Sequence, residues 1–66
     1  MKKKIIKETY AFDNMTIIVL IDETNADVYV VGLWGLLYVF SVSASDYKQI
    51  DINALHENGY FDAFLK

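Results

Sequence analysis

A chain of 66 residues, 55% of them apolar, holds one small domain (1–66) with a marginal core, because at this size folding buries only about 60% of the unfolded surface. The absence of cysteine excludes disulfides and thiolate metal sites, and a single histidine excludes a multi-histidine metal site. With no arginine there is no bidentate reading of guanine, and residues 8–66 carry nine carboxylates against two lysines, net −7, a body that repels phosphates.

The opening MKKKIIKETYAF has the basic start of a signal peptide, but Lys7, Glu8 and Thr9 break the apolar stretch at once. The chain therefore reads as unexported and cytoplasmic, and the four lysines of residues 1–7 as a solvated end. Ile5 to Phe12 reads as a strand. Phe12-Asp13-Asn14-Met15 reads as a tight reversal, centred on two residues that tolerate left-handed backbone. Met15 to Ile21 is apolar apart from Thr16 and rich in β-branched residues, as a buried central strand is. It is apolar on both faces, with Ile17, Val19 and Ile21 pointing one way and Ile18 and Leu20 the other.

Asp22-Glu23-Thr24-Asn25-Ala26-Asp27 reads as a polar turn between strands. Its acids invite a calcium site, but it lacks the alternating ligands, the glycine and the distal glutamate of an EF-hand loop. A solvated turn without a metal or other cofactor is expected.

Between Asp27 and Asp46 lie 18 residues without a charge, the threshold length for a membrane span at 28–45. Five valines, four aromatics and two central glycines favour strands instead, and no lysine or arginine adjoins the segment to orient a span. A hairpin of Val28–Val31 and Leu36–Ser43, turning at Gly32-Leu33-Trp34-Gly35, is the expectation; a glycine-marked bulge in one longer strand is the competing reading. Alternation places Leu36, Tyr38, Phe40 and Val42 on one face of the last strand, and Leu37, Val39, Ser41 and Ser43 on the other.

After Ser43 the pattern turns polar. Asp51 is a good N-cap for a helix from Ile52, with Ile52, Leu55 and either Ala54 or Gly59 on one face, and Asn58-Gly59 is a helix stop. Tyr60 to Leu65 would add a helical turn or two returning Phe61, Phe64 and Leu65 to the sheet. One continuous helix from Ile52 to Leu65 is the alternative, at about 1 kcal/mol for the internal glycine. The predicted fold is α+β, a four-stranded antiparallel meander followed by a short C-terminal helical segment (ββββα).

One short helical segment covers one sheet face, so the second apolar face of the central strand asks for a partner. A homodimer or higher oligomer, or docking on another protein, would supply one. Enzymatic activity is not expected. His56 has no recognisable nucleophile near it in the pattern and reads as a surface residue, and so small a chain seldom holds a core, a pocket and a supported catalytic shell together. The leading reading is a non-enzymatic protein-binding module.

Its candidate contact residues are Trp34, Tyr29 and Tyr38, with the acids Asp22, Glu23 and Asp27. Trp34 is either an exposed anchor at a hairpin tip or a plug in the core. In a sharper version, the acidic body is an inhibitor that occupies the groove of a basic, nucleic-acid-binding host protein. In general character alone, such chains resemble small phage and mobile-element proteins that inhibit host enzymes. A structural protein that assembles through its apolar sheet face is the alternative, and a membrane-associated peptide the third reading.

Overall fold

The computed structural model describes residues 5–33 and 35–65, without the side chain of Leu65. Four strands, β1 (Ile6–Ala11), β2 (Thr16–Ile21), β3 (Asn25–Gly32) and β4 (Gly35–Ser43), form one antiparallel sheet in the order β1-β2-β3-β4. Two short helices, α1 (Ala44–Tyr47) and α2 (Ile52–Glu57), and a 3-10 segment Phe61–Leu65 follow. The expected α+β meander with C-terminal helical cover is the observed architecture.

The turns differ in detail from the expectation. Phe12 N–H donates to Met15 C=O at 2.8 Å, yet neither Asp13 nor Asn14 has a positive φ, so this reversal needs no left-handed residue. The β2–β3 turn is shorter than the six polar residues suggested. The Asp22 carboxylate accepts from both Thr24 N and Asn25 N at 2.7 Å, an Asx turn that reverses the chain within Glu23-Thr24. Asn25, Ala26 and Asp27 are thereby released into β3, where Ala26 is fully buried opposite Ile21.

At the β3–β4 turn Gly32 pairs with Gly35, and Gly35 takes φ +111°. Leu33, fully exposed, leads into the tip, and Trp34 itself lies outside the described residues. Residues 28–32 and 35–43 are strand, and among the described residues no helix is long and apolar enough to cross a membrane.

β4 carries the largest departure from the expected pattern. Tyr29 pairs with Tyr38 and Val28 with Phe40, so the ladder skips Val39. One extra residue in a strand reverses the facing of everything beyond it. Phe40 and Val42 therefore join Leu37 and Val39 on the helix-covered side, while Ser41 and Ser43 join Leu36 and Tyr38 on the other. The expected grouping of Leu36, Tyr38, Phe40 and Val42 is broken by this bulge, which no glycine marks.

The core lies between the sheet and the helices. Ile17 and Val19 of β2, Ala26, Val28 and Val30 of β3, Met15, Ile52 and Phe61 are buried, with Phe40, Val42, Ile50 and Leu55 packed against them. Ser43 starts α1, its Oγ accepting from Asp46 N at 3.1 Å. Asp51 caps α2 as expected, its Oδ1 accepting from Ala54 N at 3.2 Å. The helix stops at Gly59, which adopts φ +80°, and the chain does not continue as one helix to Leu65. Phe61 then returns to the core, while Phe64 is half-buried.

A Cβ on Gly59 would meet only Asp62 Oδ2, at an ordinary 3.7 Å, so the cost of Gly59→Ala lies in the left-handed backbone. It is expected to be about 1 kcal/mol, seen as a fall of about 4–8 °C in Tm for a domain of this size. Gly59→Asn should lose less, since asparagine tolerates this conformation better than alanine.

Candidate protein-binding face

Register and alternation together define the side of the sheet away from the helices. Three rows of cross-strand neighbours cross it: Lys7, Leu20, Asp27 and Ser41; then Thr9, Ile18, Tyr29 and Tyr38; then Ala11, Thr16, Val31 and Leu36. Ile18, Leu20, Tyr29 and Val31 are half-buried, and Leu36 and Tyr38 are 62% and 54% exposed. Residues of this class usually lie inside a protein, so such a contiguous group in water marks an interaction surface.

Side chains on the face hold one another in place. The rings of Tyr29 and Tyr38 meet edge-to-face with centroids 5.7 Å apart. Tyr38 Oη donates to Ser41 Oγ at 3.0 Å, and Ser41 Oγ donates in turn to the Asp27 carboxylate. Tyr29, Tyr38 and Asp27 among the expected contact residues are therefore gathered on one surface. Asp22 and Glu23 are not on it; Asp22 builds the β2–β3 turn and Glu23 is exposed at the tip of that turn. Sequence reasoning named Ile18 and Leu20 as a second face but not as site residues, and it missed Val31 and Leu36, whose apolar character and register place them beside Tyr29 and Tyr38.

The carboxylates do not gather on one face. Asp22, Glu23, Asp27 and Asp46 stand toward the β2–β3 turn, where α1 is anchored by Ala44 N donating to Thr24 C=O. Asp13 and Asp62 stand toward the other end, where Asn14 Nδ2 donates to Asp62 Oδ1. Docking in a basic groove draws no support from this distribution. Among the described residues no group of three or more metal-ligating side chains comes together.

On the covered side, an open groove of about 540 Å³ runs between β4 and α2, walled by Phe40, Val42, Ile50, Ala54, Leu55 and Tyr60. Its rim offers Ser41, Gln49 and Asp51, and the Asp51 carboxylate is already engaged in capping α2, so few convergent polar groups remain to orient a small molecule. His56 is half-buried rather than a free surface residue. Its ring stacks on Phe12 with centroids 3.8 Å apart and planes 5° from parallel, and Nε2 lies 3.2 Å from Asn14 Oδ1, which ties α2 to the β1–β2 turn.

Beside β1, Tyr47 Oη donates to Glu8 Oε1 at 2.7 Å and lies 3.2 Å from Tyr10 Oη, anchoring α1 to the edge of the sheet. Burial first, then the hydrogen bonds with Tyr10 and Glu8, pushes the Tyr47 phenol well above its ordinary value. Its contribution to stability is therefore complete below the unfolded phenol pKa of about 10 and is lost as pH rises beyond that, because the unfolded chain sheds this proton first. Tyr47→Phe is expected to cost about 1 kcal/mol at neutral pH and to flatten the loss of stability above pH 10, as read by urea unfolding at stepped alkaline pH. Comparison with protein-family models, curated proteins and solved structures finds no match to this chain.

Proposed function

We propose that this chain is a non-enzymatic protein-binding module of the cytoplasm whose working surface is the open face of the sheet. The observation that carries this reading is the continuous set Ile18, Leu20, Tyr29, Val31, Leu36 and Tyr38 on the side away from the helices. Aromatic and aliphatic side chains held in a rigid sheet lose little entropy when a partner covers them, and tyrosines that bring an apolar body and a polar tip are favoured anchors. Ser41 and Asp27 supply polar groups at the margin, as interfaces with an apolar centre and a polar rim do.

The test compares the full chain with Ile18→Lys, both by solution mass and by affinity capture from the source cell. The reading expects self-association or capture of a defined protein by the wild type, and its loss in the variant while the circular dichroism spectrum is kept. A wild type that neither associates nor captures anything the substitution abolishes overturns it.

A further inference from the structure

We infer that the partner seated on the open face is a second copy of this chain, related by a two-fold axis that runs along β2. This rests on the open face being the binding surface, and what selects both partner and alignment is the placement of its two charges. Lys7 and Asp27 stand in the same row, one strand to either side of Leu20. Neighbouring strands lie about 4.8 Å apart, and sheets that pack face to face do so nearly aligned.

A two-fold along β2 lays β1 of each copy over β3 of the other. Lys7 then stands over Asp27 of the second copy, and Asp27 over its Lys7, so both charges are matched twice. In the same arrangement the small residues Thr9 and Ala11 face the bulkier Tyr29 and Val31, while Leu20 and Ile18 meet their own equivalents on the axis.

Three other symmetric alignments lack this match. An axis along β3 sets Asp27 over Asp27. One between β2 and β3 sets each Asp27 over Leu20, and one across the strands through the middle row sets it over Val31. Each of these sets the Asp27 carboxylate over a like charge or over hydrocarbon and leaves Lys7 without it, so none gains the two charge pairs. Symmetric pairing through one self-complementary patch is also the commonest form of homo-oligomer.

The overlap covers β1, β2 and β3 and leaves β4, with Leu36 and Tyr38, at its margin. Six residues by three strands span roughly 290 Å² in projection, and the rough surface of side chains raises this to about 500 Å² per copy, at the small end of specific interfaces. The dimer should therefore be reversible and concentration-dependent, and its two charge pairs should make it salt-sensitive.

The experiment is sedimentation equilibrium of the full chain over a dilution series at low and high salt. It is run on the wild type, Lys7→Asp, Asp27→Lys and the double variant, with circular dichroism as the check on folding. The expected result is a wild-type dimer that weakens with salt, a dissociation constant raised at least about tenfold by each single reversal, and recovery to within about threefold in the double variant. A wild type that stays monomeric at every concentration overturns the self-pairing, while capture of another protein that depends on Ile18 would still uphold the binding-face reading. A dimer indifferent to both single reversals and to salt, or one the double variant does not restore, overturns the alignment along β2. The salt series decides the matter on the wild type alone should a variant fail to fold.

Discussion

Phe61→Ala is expected to abolish the cooperative thermal transition. Phe61 is fully buried and is the residue through which the 3-10 segment closes over the sheet, with the Tyr60 ring set edge-to-face against it at 5.3 Å. Removing a buried phenylalanine costs about 3–5 kcal/mol, the lost transfer energy plus the cavity left behind. A domain of this size rarely has more than about 3–5 kcal/mol in total from a single core, and with no cysteine there is no cross-link to hold the remainder. The variant should therefore lack the near-ultraviolet dichroism of ordered aromatics at 25 °C and melt without a transition. Phe64→Ala is the control. That ring is half-buried and meets Tyr60 with centroids 6.0 Å apart, and its loss should lower Tm while leaving a cooperative unfolding curve. A cooperative transition kept in both variants would mean the helical cover contributes little, and that the sheet folds without it.

The elements most legible in the sequence are those whose causes are local. Asp51 caps α2 and Gly59 ends it because each acts on backbone groups within a few residues, so the letters alone carry the information. The β-branched run of β2 marks a central strand for the same reason. Helix α1 is equally local: Ser43-Ala44-Ser45-Asp46 has the spacing of an N-terminal cap followed by an acid in the first turn, a signal masked by the polar composition of the segment. The early end of the β2–β3 turn was legible too, in the capacity of Asp22 to bind two backbone amides. The bulge at Val39 was not. It arises from the fit of two strands, where Phe40 must reach the core beside Val28 while Tyr38 stays beside Tyr29 on the open side, and nothing in the alternation of residues 36–43 records that requirement. The existence of the open face was therefore readable from β2 alone, whereas its boundary on β4 depended on tertiary pairing.

Two adjacent residues of β2 make the two faces separable by experiment. Ile17→Lys is expected to unfold the chain and Ile18→Lys to leave it folded. Ile17 is completely buried between its cross-strand neighbours Tyr10 and Val30. An ammonium placed there without a partner carries a desolvation penalty of several kcal/mol, which a domain this small does not have in reserve. Ile18, one residue on, lies on the opposite side between Thr9 and Tyr29. A lysine there can lay its stem along the sheet and lift its charge into water, so the loss should be confined to strand preference and neighbour packing, about 1 kcal/mol or less. The same charge would stand on the axis of the inferred dimer, facing its own equivalent, and association should disappear. Far-ultraviolet dichroism with sedimentation on both variants separates the effects. A folded Ile18→Lys that is strictly monomeric would place association on the open face. An Ile18→Lys that unfolds as Ile17→Lys does would mean that the second side of β2 is covered by the chain itself, and neither the binding face nor the dimer built on it would survive.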